Sequence, residues 1–219
     1  MIDCNDLMSQ KHLAYNIKND YSQKVTNNTD NTLEIHPWKP FIPEGTRMIF
    51  LGSFPPAPHR WSMDFFYPNF INDMWRIFGI CLHNDKGWYV NEEKRTFHKE
   101  KIEGMLKELG IGLYDTATVV RRTRNTASDK DLEVIKHTDF DGLLRMAPLC
   151  KYLVTTGEKA TSIITSHYLI NKPKLGHHVD FIFEGRTIGL YRMPSSSRAY
   201  PMKIEDKAVF YKELFNLIL

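Results

Sequence analysis

The chain has 219 residues, a hydrophobic share of 42%, an aromatic share of 12% and a formal net charge of +3. That length suits one domain of ordinary size with a short appendage, and so small a net charge excludes a polycation, so that any nucleic-acid binding must come from a local patch. Three scattered cysteines, Cys4, Cys81 and Cys150, argue against a disulfide framework and against a zinc or iron–sulfur site, while a polar start and the lack of any long apolar run argue against export and membrane spanning.

In chain order, residues 1–32 are rich in Asn, Asp and Lys, and Asn27 to Asn31 reads as a linker. Leu7, Leu13, Tyr15 and Ile17 are enough for a short helix there. The compact domain is expected over 33–219. Pro37, Pro40 and Pro43 hold an extended approach to a first strand over Thr46 to Leu51, whose continuous apolar character fits a strand buried on both faces. Met74, Trp75, Ile77 and Phe78 give a helix over Asn72 to Phe78, and a second helix runs from Phe97 to Leu109, stopped by Gly110. Ile111 to Asp115 is a strand, Asp139 to Met146 a helix, Tyr152 to Thr156 a strand, and Glu158 to Ser166 a helix. Val179 to Phe183 and Thr187 to Tyr191 flank Glu184-Gly185-Arg186 as a hairpin. Glu205 to Leu219 closes the chain as an amphipathic helix. Strands alternating with helices predict an α/β fold, a three-layer α/β/α sandwich with a mostly parallel central sheet.

Two strands stop abruptly in loops of small residues: Gly52-Ser53-Phe54-Pro55-Pro56, and Met193-Pro194-Ser195-Ser196-Ser197-Arg198. Loops at the carboxyl ends of strands build the ligand crevice of an open α/β sheet, so both are expected at one site. Arg121-Arg122-Thr123-Arg124 and Lys172 to Lys174 with His177-His178 are basic patches, each read most simply as a solvated loop. No Gly-x-Ser-x-Gly elbow, no Gly-x-Gly-x-x-Gly and no phosphate loop with Lys follows the first strand, which disfavours a nucleophilic hydrolase and a dinucleotide enzyme. No His pair has useful metal spacing, so neither metal nor cofactor is expected.

The pattern from about Leu33 to Leu219 resembles the uracil-DNA glycosylase superfamily. Ile35-His36-Pro37-Trp38, Leu51-Gly52-Ser53-Phe54-Pro55, Phe66-Tyr67-Pro68 and Asn72-Asp73-Met74-Trp75 are similar to the hypoxanthine-DNA glycosylase branch. Met193-Pro194-Ser195-Ser196-Ser197 is similar to the second motif of the thymine- and mismatch-specific uracil-DNA glycosylases. The resemblance implies a monofunctional glycosylase of base-excision repair that extrudes a deaminated base, uracil or hypoxanthine in a mispair, and hydrolyses its N-glycosidic bond. It also implies double-stranded DNA with a damaged or mismatched base as partner, no membrane, a monomer, and a cytoplasmic protein that joins the nucleoid when on DNA.

Where the mismatch-specific and thymine branches carry a water-positioning Asn, this chain has Phe54, whose ring cannot hold a water. The hypoxanthine-type branch also lacks that Asn, and its aromatic-Asn-x-x-Trp element points to Asn72 as the catalytic residue. Asn72 would donate its amide to the base, orient water, or both; as a preferred N-cap before a helix it also has a plain structural role. Gly52, Ser53 and Phe54 would face the base through backbone N–H groups. Phe54 and Tyr67 would supply stacking surface, with core packing an even alternative for Tyr67 and the preferred one for Phe66. Ser195, Ser196 and Ser197 would bind phosphates, and Arg198 or Tyr200 would fill the gap left by the extruded base. Met193 stands where some branches have a His and, having no donor, would give the departing base little help. Arg121, Arg122 and Arg124 are candidate phosphate contacts. Asp64 and Asp115 are the carboxylates nearest the motifs, with a cap or ion pair as the commoner role. The alternative is a non-catalytic lesion-binding protein on the same fold, which Phe54 keeps open.

Overall fold

The computed structural model describes residues 32–123 and 129–219. Their elements run β1 (Leu33–Ile35), β2 (Met48–Gly52), α1 (Met74–His83), β3 (Val90–Asn91), β4 (Thr96–Phe97), α2 (Lys99–Leu109), β5 (Ile111–Asp115), β6 (Ala117–Arg122), β7 (Leu132–His137), α3 (Phe140–Met146), β8 (Tyr152–Thr156), α4 (Glu158–Tyr168), β9 (His178–Phe183), β10 (Arg186–Met193) and α5 (Ile204–Phe215). Residues 1–31, with their expected linker and short helix, and Arg124 lie outside the described residues.

The central sheet has the order β5-β2-β8-β10-β9, with β5, β2, β8 and β10 parallel and only the edge strand β9 antiparallel. Every residue of β2 is buried, as a continuous Met-Ile-Phe-Leu run requires of a strand covered on both sides. Register and packing identify the two covers. Phe50 faces Phe78 of α1 and Tyr211 and Phe215 of α5, at ring distances of 5.4, 6.3 and 6.5 Å. Phe50 pairs with Val154, so the neighbouring Leu51–Thr155 pair points the other way. There the Thr155 hydroxyl meets that of Thr161 in α4 at 2.8 Å. Helices α1 and α5 therefore cover one face and α4 the opposite one, which is the three-layer sandwich expected.

Local chemistry sets the boundaries. Gly110 ends α2 in the left-handed conformation at φ +64°. Asp139 starts α3 by accepting the Gly142 N–H at 2.9 Å. Glu184 and Gly185, at φ +48° and +77°, make the tight turn of the β9–β10 hairpin. Helix α1 runs five residues beyond the expected Phe78, to His83, and stops where Asn84 turns left-handed. Helix α5 stops at Phe215, short of the chain end.

A three-stranded antiparallel sheet, β1-β6-β7, was not expected from the sequence. Strand β6 carries register shifts around Val119, which break the two-residue alternation that marks a strand. The solvated loop expected at Arg121-Arg122 is instead this strand: Arg121 pairs with Glu133 at 2.9 Å and Arg122 with Glu34 at 2.7 Å. In the other basic patch, Lys172 pairs with Glu158, which also holds Arg192 at 2.6 Å. Among the described residues no helix is long and apolar enough to cross a membrane.

Candidate functional site

Because β5, β2, β8 and β10 are parallel, their carboxyl ends open on one edge of the sheet. A cavity of about 930 Å³ lies there. All nine candidate residues line it: Gly52, Ser53 and Phe54 after β2, Tyr67 and Asn72 before α1, and Ser195, Ser196, Ser197 and Arg198 after β10. Asp115 at the end of β5 and Thr156 and Gly157 at the end of β8 complete the wall.

The floor is built around Asp115. One carboxylate oxygen, Oδ2, accepts from His36 Nε2 at 2.9 Å, and the two side chains are 10% and 2% exposed. The Thr138 hydroxyl donates to the Asp115 main-chain oxygen at 2.6 Å. The other carboxylate oxygen, Oδ1, lies against the bare Cα of Gly52, where a Cβ would stand only 2.3 Å away. No described residue donates to Oδ1, so an acceptor on the cavity wall is left for whatever fills the cavity. Tyr67 stands beside it in the left-handed region at φ +51°, a conformation that costs a bulky residue energy and is kept where surroundings enforce it. Its hydroxyl meets Thr156 Oγ1 at 3.1 Å, and its ring meets Trp75 edge-on at 5.9 Å. Burial, and then the Asp115 charge, push the Tyr67 phenol well above its ordinary range, so it remains a neutral hydroxyl. Phe66 is core, 3% exposed, as preferred.

Asn72 has divided duties. Its side-chain oxygen accepts the Met74 N–H at 2.9 Å in an Asx-type turn onto the first helical residue; the N-cap itself is Asp73, one residue later than expected. That fixes the amide orientation and leaves the NH2 group bonded to no described residue. Asn72 can therefore present donors to a ligand, whereas its acceptor is committed to the helix.

The serine loop is pinned from below through its carbonyls. Ser196 O accepts from Asp73 N, at 2.9 Å, Ser197 O from Lys207 Nζ at 2.8 Å, and Pro194 O from the Tyr211 hydroxyl at 2.8 Å. Ser195 Oγ accepts from Ser197 N and Ser197 Oγ from Ala199 N, at 3.2 and 3.3 Å, so their hydroxyl hydrogens are left to donate outward. Arg198 is 57% exposed and donates from Nε to Asp73 Oδ1 at 2.8 Å.

Phe54 lines the cavity but also packs on Ala117, Val120 and Leu132 of the small sheet, edge-on to His36 at 5.5 Å. A short segment, Asp129–Asp131, folds over the loop after β2: Ser53 Oγ donates to Asp129 Oδ1 at 2.5 Å, and Lys159 Nζ donates to Asp129 O at 2.7 Å. Neighbouring atoms that displace water push the Asp129 carboxyl up, against the pull of Ser53 and Lys159. Asp64 does not line the cavity; it accepts from Trp38 Nε1 at 2.7 Å.

His36, Asp73, Asp129 and Lys207 were not singled out from the sequence, and Asp115 was given a lesser role. One signal for Lys207 exists: it stands on the apolar stripe of α5, three and four residues from Ile204 and Tyr211. Among the described residues no three His, Cys, Asp or Glu side chains gather as metal ligands would.

No protein-family model matches the chain, and no curated protein does. Among solved structures it is similar to the solution NMR structure of a Methanosarcina acetivorans protein provisionally named a uracil DNA glycosylase. The two are 20% identical, with a TM-score of 0.56, over 85% of this chain and 99% of that one. At that identity the likeness is one of fold.

Proposed function

We propose that the chain is a monofunctional DNA glycosylase that extrudes a deaminated base from a mispair and hydrolyses its N-glycosidic bond. The observation that carries this is the pairing of opposite polar needs across one cavity: Asp115 Oδ1 and the Asn72 amide donors, neither bonded to any described residue. Uracil and hypoxanthine both offer a ring N–H next to a carbonyl, which satisfies an acceptor and a donor side by side. The named fold neighbour agrees with this class.

Extrusion costs roughly a few kcal/mol and least for a mispaired base. The extruded base would sit on Phe54 and Tyr67, with its N–H toward Asp115 and its carbonyl toward Asn72 or the backbone N–H groups after Gly52. As the bond from C1′ to the base nitrogen breaks, its electron pair moves onto the base. Donors already aimed at the carbonyl stabilise that charge. Water adds to C1′ and its proton leaves with the base. Ser195, Ser196, Ser197 and Arg198 hold the strand on either side. In this proposal residues 33–219 are the working domain, a monomer acting in the cytoplasm and on the nucleoid, and residues 1–32 an extension.

Oligonucleotides carrying G·U, single-stranded uracil or hypoxanthine test the proposal. Alkali-labile abasic product is expected, fastest on a mispair. Tight lesion binding with no product at enzyme excess over many hours would instead establish the non-catalytic alternative that Phe54 keeps open.

A further inference from the structure

Asp73 joins the two arms of the site. Its N–H donates to Ser196 O at 2.9 Å, and its carboxylate, 3% exposed, accepts from Lys207 Nζ at 3.0 Å and from Arg198 Nε at 2.8 Å. Lys207, wholly buried, also donates to Ser197 O. The start of α1, the serine loop and α5 thus meet at one carboxylate, and Asn72 is its chain neighbour.

A buried ion pair is often no more stabilising than an apolar pair of the same volume. What the carboxylate supplies that an apolar residue cannot is direction. Arg198 is held at Nε, while its two terminal nitrogens are bonded to no described residue. The guanidinium is planar and rigid, so an anchor at Nε sets the heading of the remaining donors. We infer that Asp73 is a positioning residue that aims the Arg198 fork at the DNA beside the extruded nucleotide and ties that aim to Asn72. The inference rests on the glycosylase proposal above, because it assumes a strand opened at this cavity.

Arg198→Lys tests it without touching the Asp73–Lys207 pair. Lysine keeps the charge and the reach but has no Nε to anchor. Single-turnover base release from a mispaired duplex is expected to fall about tenfold, the scale of one lost charge-assisted hydrogen bond. Arg198→Ala should do the same, and both should lose clearly less on single strands than on the mispaired duplex; equal losses on both would overturn the inference. The paired change Asp73→Leu with Lys207→Met keeps Arg198 and removes its anchor; it should melt near the parent yet lose the same factor on duplex. Adding Arg198→Lys to it should then cost less than about twofold, since coupled residues are non-additive. A parental duplex rate in Arg198→Lys, or in a stable paired variant, overturns the inference. Should the parent release no base at all, the glycosylase proposal fails separately. The same variants are then compared by affinity for a duplex with an abasic site, where weaker binding by Arg198→Lys supports the aiming role and parental binding overturns it.

Discussion

A methyl group added at Gly52 would stand 2.3 Å from Asp115 Oδ1, and His36 holds the other oxygen of that carboxylate at 2.9 Å, so the side chain cannot swing clear. Gly52→Ala should therefore destabilise by about 1–3 kcal/mol, the usual range for overpacking. A fall of about 2–10 °C in melting temperature is expected with loss of base release; an unchanged melt would show that the floor is looser than its geometry. Tyr67 gives a pH-dependent case. Its folded pKa is raised, so its contribution to stability is constant below the ordinary phenol value and falls as pH rises above it, when only the unfolded chain ionises. In urea unfolding, the stability gap between the parent and Tyr67→Phe should shrink from about pH 9 to pH 11, around the ordinary phenol pKa. A constant gap would mean that the phenol is not held neutral. Neither Asp115 nor Tyr67 could be weighed fully from sequence, because a strand-end carboxylate next to a bare glycine shows only in three dimensions.

At the scale of elements, α1, the serine loop and α5 are held together by a charge cluster, and α5 supplies its least expected member. Lys207→Met leaves the Asp73 carboxylate with Arg198 as its one remaining cation among the described residues. Because Arg198 still pairs with that carboxylate while Ser197 O loses its donor, a loss of about 1–3 kcal/mol is expected. Thermal melting reads it directly, and a parental melting temperature would refute the cluster's structural weight. The alternating strands and helices of the sandwich were legible because each main element keeps one period over its length and has a plain stop, such as Gly110 or Gly185. The β1-β6-β7 sheet was not, because β1 has three residues and β6 bends at Val119. Its two arginines looked like a solvated patch only because their partners, Glu34 and Glu133, stand in other strands, β1 and β7.

Over the whole molecule, four parallel strands bring loops more than a hundred residues apart to one edge, and this made much of the site legible. Gly52 to Phe54 and Ser195 to Arg198 could be grouped from strand-end position alone. Asn72 needed the resemblance, and His36, Asp73 and Lys207 needed coordinates, since their roles come from partners in other segments. Net charge is only +3, and many basic side chains are already paired within the protein. DNA binding should then involve few phosphates: log affinity against log salt is expected to have a slope of about −3 to −5. A slope near −10 would require a much larger basic footprint. The central claim is that Asn72 donates to the departing base in this cavity. Single-turnover release from a duplex carrying G·U or hypoxanthine, measured for the parent and for Asn72→Ala alongside DNA affinity, tests it most directly. The account predicts a rate lowered at least about a hundredfold, the scale of one lost transition-state donor, with affinity nearly unchanged; a full single-turnover rate in Asn72→Ala would contradict it.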